Sequence, residues 1–420
     1  MMPASNMKIV TLAAAAARLG WNYSYETTIR AGGPIVDGTL RGDLIVSGSG
    51  DPSMTIADGI AARVFGDWAT RLKTAGIRAI DGRIVGDDNA FDDDELGFGW
   101  SWDDLQDDYA AGINALQFNE NAARVTITPG LAVAAPAGFA IDPPGAGLVV
   151  DNGVTTGAAG SAPSIRTRRL PGTSRLAIRG SIAVDARPIV EAVSVDNPTL
   201  FFVTSLRAAL IDGGIDVTGK AVDIDAIRDP PPMDGSPLVT YRSPPLSQLA
   251  IRLMKDSQNQ YAETLLKTIG RTAGTPTAGG GRASVQATLR AWGIADDDLI
   301  QRDGSGLSRY DYVTADALTA ILAHVDRDPM LRGPFEASLP VAGRDGTLTN
   351  RMKGTAADGN ARAKTGSMTN VRALSGYLTS GDGEPLVFSI LANNFEVAPA
   401  AVTAAADAIV VKLATFRRQR

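Results

Sequence analysis

Ser5 and Lys8, Ser257 and Asn259, and Lys364 are polar side chains whose types and order could carry an acyl group through a covalent intermediate. They stand in three short clusters, Ser5-Asn6-Met7-Lys8, Ser257-Gln258-Asn259 and Lys364-Thr365-Gly366, spread over most of the chain. A serine hydroxyl attacks a carbonyl poorly until a neighbour accepts its proton. A lysine that is desolvated and crowded by other cations can lose its charge near neutral pH and serve as that acceptor. If Ser5 opens a helix, Lys8 lies one turn on along the same face, and the helix N-terminus adds backbone donors where negative charge develops. In the second cluster Ser257 would pass a proton to the leaving amine, while Asn259 holds Lys8 and the substrate amide. Alone, Ser257-Gln258-Asn259 reads as an ordinary polar turn. Together the three clusters are informative, because independent accidents would have to coincide.

Lys364-Thr365-Gly366-Ser367 reads as a strand, and a strand beside the serine can pair with an extended peptide that Gly366 allows to come close. Lys364 would add positive potential near Lys8. The Thr365 and Ser367 hydroxyls would take a terminal carboxylate, and the N–H groups of Ser5 and Ser367 an oxyanion. The chain has a single histidine, His324, and no cysteine. His324 falls in residues 314–325, where Leu318, Ile321, Leu322 and Val325 follow helical spacing, so it reads as a residue flanking a packed face. Imidazole catalysis would have to recruit it, and lysine is the better base. The missing cysteines remove thiol chemistry, disulfides and cysteine-ligated metals together.

Several elements must position these groups. Residues 1–17 pass for a secretion signal, but they read equally as the start of a buried helix over 9–19 closed by Gly20. Cleavage there would discard Ser5 and Lys8, so the helix is the reading adopted. Strand patterns cover 38–47 and 77–85 around a helix at 60–75. Short strands at 123–128, 148–151 and 175–183 mark a small β-rich unit. A helix follows at 198–211, and Asp229-Pro230-Pro231-Pro232 is a stiff linker. Beyond it lie helices at 246–269, interrupted in character at Ser257–Asn259, then at 281–292 and 314–325. A hairpin of 371–379 and 385–393 precedes a final helix at 399–413 with Val402, Ala406, Ile409, Val410 and Leu413 on one face. Residues 87–108 carry ten acidic side chains and no basic one, interleaved with Phe91, Phe98, Trp100 and Trp102. They read as a solvated loop pinned by aromatics, with a calcium site or a cation-recognising wall as the alternative.

At 420 residues, with 44% apolar and 20% charged side chains, the chain should fold into about two or three domains. A net charge of −6 argues against nucleic acid or an anionic membrane as the main partner. No apolar run approaches the roughly 20 residues of a spanning helix.

The chain resembles the D-alanyl-D-alanine carboxypeptidase/endopeptidase family, the class C low-molecular-mass penicillin-binding proteins. The likeness rests on the three clusters and on further blocks: Gly42-Asp43-Leu44, Gly48-Ser49-Gly50-Asp51-Pro52, Asp303-Gly304-Ser305-Gly306-Leu307-Ser308, Gly343-Arg344-Asp345-Gly346-Thr347-Leu348 and Leu391-Ala392-Asn393-Asn394. The long gap between Lys8 and Ser257 points the same way, since β-lactamases leave a far shorter one.

The resemblance implies a multi-domain α/β fold. Its penicillin-binding/β-lactamase-like transpeptidase domain, an antiparallel sheet packed against helices, would span 1–50 and 232–420. Two β-rich domains would be inserted, at 51–125 and 126–231. It implies Ser5 as the acylated nucleophile and Lys8 as its proton acceptor, with Ser257, Asn259 and Lys364 completing the site. Thr365, Gly366, Ser367, Met368, Asp104 and Tyr109 would contact substrate, and the acidic segment would meet the free amine of diaminopimelate. Peptidoglycan stem peptides are then the substrate and β-lactams the inhibitors, with no cofactor or metal, in the periplasm or outside the cell envelope. Members carry an export signal and several dozen residues ahead of the nucleophile, whereas four residues precede Ser5 here. The resemblance therefore implies a catalytic domain truncated at its N-terminus. A β-lactamase or esterase with the same Ser–Lys chemistry, and an inert relative that only binds the peptides, are the rival readings.

Overall fold

The structure is a computed structural model that describes residues 1–231 and 235–418. The expected linker ends on Pro232, which lies outside the described residues, as does the expected boundary at 232. The chain divides into two compact units, one of Met1–Ser24, Gly97–Trp100 and Pro244–Arg420, the other of Tyr25–Leu96 and Ser101–Ser243. In chain order the helices are α1 (Met7–Leu19), α2 (Ile60–Thr74), α3 (Pro198–Asp212), α4 (Leu246–Lys255), α5 (Asn259–Thr272), α6 (Ala278–Ala291), α7 (Ala315–Arg327), α8 (Arg332–Ser338) and α9 (Pro399–Thr415).

In the first unit α1 is buried on every side from Met7 to Ala16, as a helix apolar all round must be. Its alanines let α4, α5, α6 and α7 pack close about it. Gly20, at φ 77°, ends it and donates its N–H to the Ala16 carbonyl at 3.0 Å. The expected long helix at 246–269 is two helices. Between them Ser257 takes a left-handed φ of 62° and turns the chain, consistent with the poor helix propensity of Ser and Asn. On α7 the predicted Leu318, Ile321, Leu322 and Val325 are buried, and His324 stacks on Trp292 with ring centroids 4.2 Å apart.

Strands Arg362–Met368, Val371–Thr379 and Pro385–Asn393 form an antiparallel meander, with Lys364 opposite Ser375 and Gly366 opposite Ala373. The first strand, which carries the Lys-Thr-Gly cluster, packs against the 3-10 turn Ala4–Asn6 that carries Ser5. On α9 the buried stripe is Ala406, Val410 and Ala414, whereas Ile409, expected on that face, is exposed. The helix meets the sheet through residues four apart, and Ile409 falls on the flank of that row.

The second unit explains why the sequence misplaced the first boundary at residue 50. Strand Glu26–Ala31, which the sequence reading missed, pairs antiparallel with Leu44–Gly48 on one side and Val239–Arg242 on the other. Ile84–Asp87 and Ala221–Asp223 extend the sheet to five strands, so residues 26–48 belong with the insert. The strand expected at 77–85 is two, Ala79–Ile80 and Ile84–Asp87, in different sheets. Likewise 38–47 contains Thr39–Leu40 and Leu44–Gly48. This unit holds two hydrophobic clusters. One gathers α2, α3 and the five-stranded sheet around Trp68, Phe65, Phe201 and Phe202. The other, built on Val125, Ile127, Val154, Leu176, Ile178 and Val193, fills the space between the short strands of 122–194.

Candidate active site

Ser5 sits in the 3-10 turn that leads into α1, and Lys8 in the first turn of that helix. Lys8 is fully buried, and its Nζ lies 3.0 Å from Ser5 Oγ, 2.6 Å from Asn259 Oδ1 and 2.9 Å from the Ser305 carbonyl oxygen. Asn259 opens α5 immediately after the Ser257 turn. Lys364, also fully buried, donates to Ser257 Oγ at 2.8 Å and to the Thr365 carbonyl at 2.9 Å. The three clusters thus converge in one unit.

Three acceptors around Lys8 match the three protons of an ammonium. A neutral amine has two protons and a lone pair. Asn259 Oδ1 and the Ser305 carbonyl can only accept, so the lone pair is left for Ser5, whose hydroxyl can donate. Burial lowers the Lys8 pKa to about 7, against the opposing pull of Asp303 and then Glu263. Of the two expected causes, desolvation does the work and a neighbouring cation does not. The cation effect falls on Lys364, held well below the usual lysine range by burial and then by Lys8. Two buried amines so placed resist carrying two charges together.

Two residues keep strained backbones here. Ser257 and Ala4, the latter at φ 46°, sit in the left-handed region that non-glycine residues avoid. Gly366 is needed because a Cβ there would stand 2.5 Å from the Pro3 carbonyl oxygen. The glycine that was expected to admit a substrate backbone therefore first admits the protein's own.

The chain matches the profile of the D-Ala-D-Ala carboxypeptidase 3 (S13) family over residues 1–416. The chain belongs to this family. It is 37% identical to a D-alanyl-D-alanine carboxypeptidase of Actinomadura, over 99% of this chain and 77% of that protein. It is 28% identical to penicillin-sensitive carboxypeptidase A of Dictyostelium discoideum, over 99% of this chain and 82% of that one. Its structure resembles the crystal structure of penicillin binding protein 4 (dacB) from Haemophilus influenzae, with a TM-score of 0.85, 26% identity and coverage of 99% and 92% of the two chains. As a member of the S13 family the protein is a serine carboxypeptidase, a hydrolase, with the penicillin-binding fold expected from its sequence.

The S13 chain also uses residues to which the sequence reading gave no role. Glu263, one turn along α5 from Asn259, accepts from the N–H of Gly304 at 2.8 Å and of Ser305 at 2.7 Å. Asp303 accepts from the N–H of Gly306 and Ser308, each at 2.6 Å, and from Trp100 Nε1 at 2.9 Å. Asp311 accepts from the N–H of Arg302 at 2.6 Å. Burial, then Asp303, pushes the Glu263 carboxyl up to about 8, and the same two causes hold Asp311 well above the carboxylate range. The sequence did carry a signal: a glutamate four residues past Asn259 on an otherwise packed helix, and a Gly/Ser/Asp block at 303–308.

Thr365 and Met368 are half-buried and Ser367 is exposed on the strand after Lys364, and Thr365 Oγ1 donates to Thr347 Oγ1 at 2.8 Å. Asp104 and Tyr109 belong to the second unit, where the Tyr109 hydroxyl is 2.9 Å from both Asp104 Oδ1 and Asp107 Oδ2. Among the described residues a single group of carboxylates is packed closely enough to hold a metal ion: Asp88, Asp223 and Asp225, with ligand atoms within 4.8 Å of one another. It takes only Asp88 from the acidic segment and shares no residue with the catalytic clusters. Among the described residues no helix is long and apolar enough to cross a membrane.

Proposed function

We propose that the protein cleaves the bond between the last two D-alanines of a peptidoglycan stem peptide, or an equivalent D-amino-acid cross-link, through an ester on Ser5. Lys8 takes the Ser5 proton as Oγ bonds to the carbonyl carbon, and the N–H groups of Ser5 and Ser367 hold the oxyanion. Collapse breaks the C–N bond, and the departing amine receives a proton relayed through Ser257, backed by Lys364. The proton Lys8 took from Ser5 has by then passed to the leaving amine, so Lys8 can deprotonate a water that attacks the ester, and it returns that proton to the freed Ser5 oxygen. Asn259 orients Lys8 and the substrate amide. Thr365 and Ser367 bind the terminal carboxylate, with the charge of Lys364 behind them, and Gly366 lets the peptide backbone lie along the strand.

On the catalytic unit Met368 contacts the stem peptide's long side chain; on the insert Asp104 and Tyr109 are the residues suited to that side chain's free amine. A β-lactam, a strained amide of similar outline, acylates Ser5 in the same way. That agrees with the names of two relatives, one penicillin-sensitive and one penicillin-binding. The substrate places the protein at the periplasm or outer face of the envelope. The insert carries two hydrophobic clusters, and the larger joins Phe65 to Phe201 and Phe202 across the expected division at 125/126, so the two inserted domains do not part there.

The observation that carries this reading is the Lys8 amine, buried and held on two carbonyl acceptors with its remaining contact on Ser5. Release of D-alanine from a diaminopimelate-containing pentapeptide tests it. Wild type should release one equivalent per peptide and Ser5→Ala none. Equal release by both would remove Ser5 from the mechanism.

A further inference from the structure

We infer that Glu263 is a positioning residue for the catalytic amine: it clamps the 304–305 backbone so that the Ser305 carbonyl, with Asn259, turns the Lys8 lone pair onto Ser5. The inference rests on the proposed role of Lys8 as proton acceptor and goes beyond it.

The geometry is a short chain of contacts. Both Glu263 oxygens are occupied, one by the N–H of Gly304 and one by that of Ser305. The Ser305 residue so held sends its carbonyl oxygen to Lys8 Nζ at 2.9 Å. Asn259, one turn earlier on the same helix, makes the other contact directly at 2.6 Å. One face of α5 therefore sets both acceptors that direct the amine. From α1, Thr11 Oγ1 donates to the Gly304 carbonyl at 2.7 Å, so this peptide is gripped from two sides. Gly306 closes the turn with φ +84° and would collide with the Ala4 carbonyl if it carried a Cβ, so the loop cannot move inward to compensate.

A glutamate suits this task better than its amide. Two N–H donors converge on its two oxygens, and a glutamine would turn its own NH2 toward one of them. The carboxylate is 5% exposed and is no part of the proton path from Ser5 to the leaving amine. The charged groups that bear on Lys8 are Glu263 on α5, Asp303 on the clamped loop and Lys364 on the strand. Asp303 and Glu263 in turn bear on Asp311, and Lys267 is buried one turn beyond Glu263 on α5.

Losing the clamp loosens the Ser305 carbonyl, an acceptor that favours the protonated amine, and, in the carboxylate form that its two N–H donors favour against burial, it also removes a negative charge that does the same. The acid limb of acylation should then move to lower pH while the plateau falls through poorer orientation. The test is the pH profile of acylation by a fluorescent penicillin, with Tm measured in parallel, for wild type, Glu263→Gln, Glu263→Asp and Leu265→Val. Leu265→Val is a packing change on the same helix.

For Glu263→Gln the plateau should fall about 10- to 100-fold, and the acid limb should drop by about half to one pH unit. Glu263→Asp keeps the charge but is too short to span both N–H groups. Its plateau should fall with a smaller movement of the limb, and it serves should the glutamine variant fail to fold. Leu265→Val should change Tm without moving the limb. A wild-type limb in Glu263→Gln, or a wild-type plateau in a folded Glu263→Asp, overturns the inference while leaving Ser5 and Lys8 in place. A wild type with no acylation on Ser5 overturns the underlying reading, and the inference with it.

Discussion

The chemistry turns on how one amine is held. Lys8 is fully buried, and its three contacts accommodate either protonation state, with Ser5 as acceptor for the ammonium or donor to the amine. Only the neutral amine can take a proton, so acylation should fall as pH drops below about 7 and level off above it. Below that point the rate should lose about a factor of ten per pH unit. A flat profile between pH 5 and 8, followed by penicillin labelling, would contradict the assignment. Lys8→Arg keeps a cation but removes a group able to deprotonate. Its acylation rate should drop by about 10²- to 10⁴-fold, the usual worth of a general base. His324 stacks on Trp292 and touches none of the site. Its replacement by alanine should cost at most about 1.5 kcal/mol of stability and leave acylation unaltered, which denaturant melts and labelling kinetics would check.

At the level of elements, the α4–α5 junction trades stability for position. Ser257 pays about 1–2 kcal/mol for its left-handed backbone, and in return its hydroxyl meets Lys364 at 2.8 Å. Ser257→Gly should hold or raise Tm while slowing acylation by about tenfold or more, the worth of a hydrogen bond to a charged group. A variant that loses stability and keeps its rate would show that strain has no functional return here. Gly366→Ala should lower stability by about 1–3 kcal/mol, because its Cβ meets the Pro3 carbonyl. The loss should appear in thermal melts even without substrate.

The junction was legible in the sequence because Ser and Asn interrupt a good helix, and α1 was legible because the other two clusters demand that Ser5 and Lys8 stay in the chain. Strand Glu26–Ala31 was not, since its neighbours in the sheet lie at 44–48 and 239–242. Its residues alternate no more clearly than a loop does. The Glu263 clamp was hidden for a related reason: its partners are backbone N–H groups about 40 residues away, and backbone partners leave no mark in side-chain spacing.

The chain divides into two compact units, and among the described residues the hydrogen-bond partners of Lys8 and Lys364 lie in the one that contains Ser5. Units with separate hydrophobic cores need not melt together. Calorimetry should resolve two components, and acylation by penicillin should raise only the one belonging to the unit with Ser5. A single transition that moves as a whole would mean that the insert and the catalytic unit unfold cooperatively. The sequence reading divided the chain into a catalytic domain and two inserts, where the structure has two compact units. It set the seam late, at residue 50, because composition changes after the Gly48–Pro52 turn whereas the sheet begins at Glu26. The most direct measurement is mass-spectrometric mapping of the protein after exposure to benzylpenicillin. The account predicts one penicilloyl group on the peptide containing Ser5, absent from Ser5→Ala. An adduct on another residue, or none on the folded protein, would contradict it.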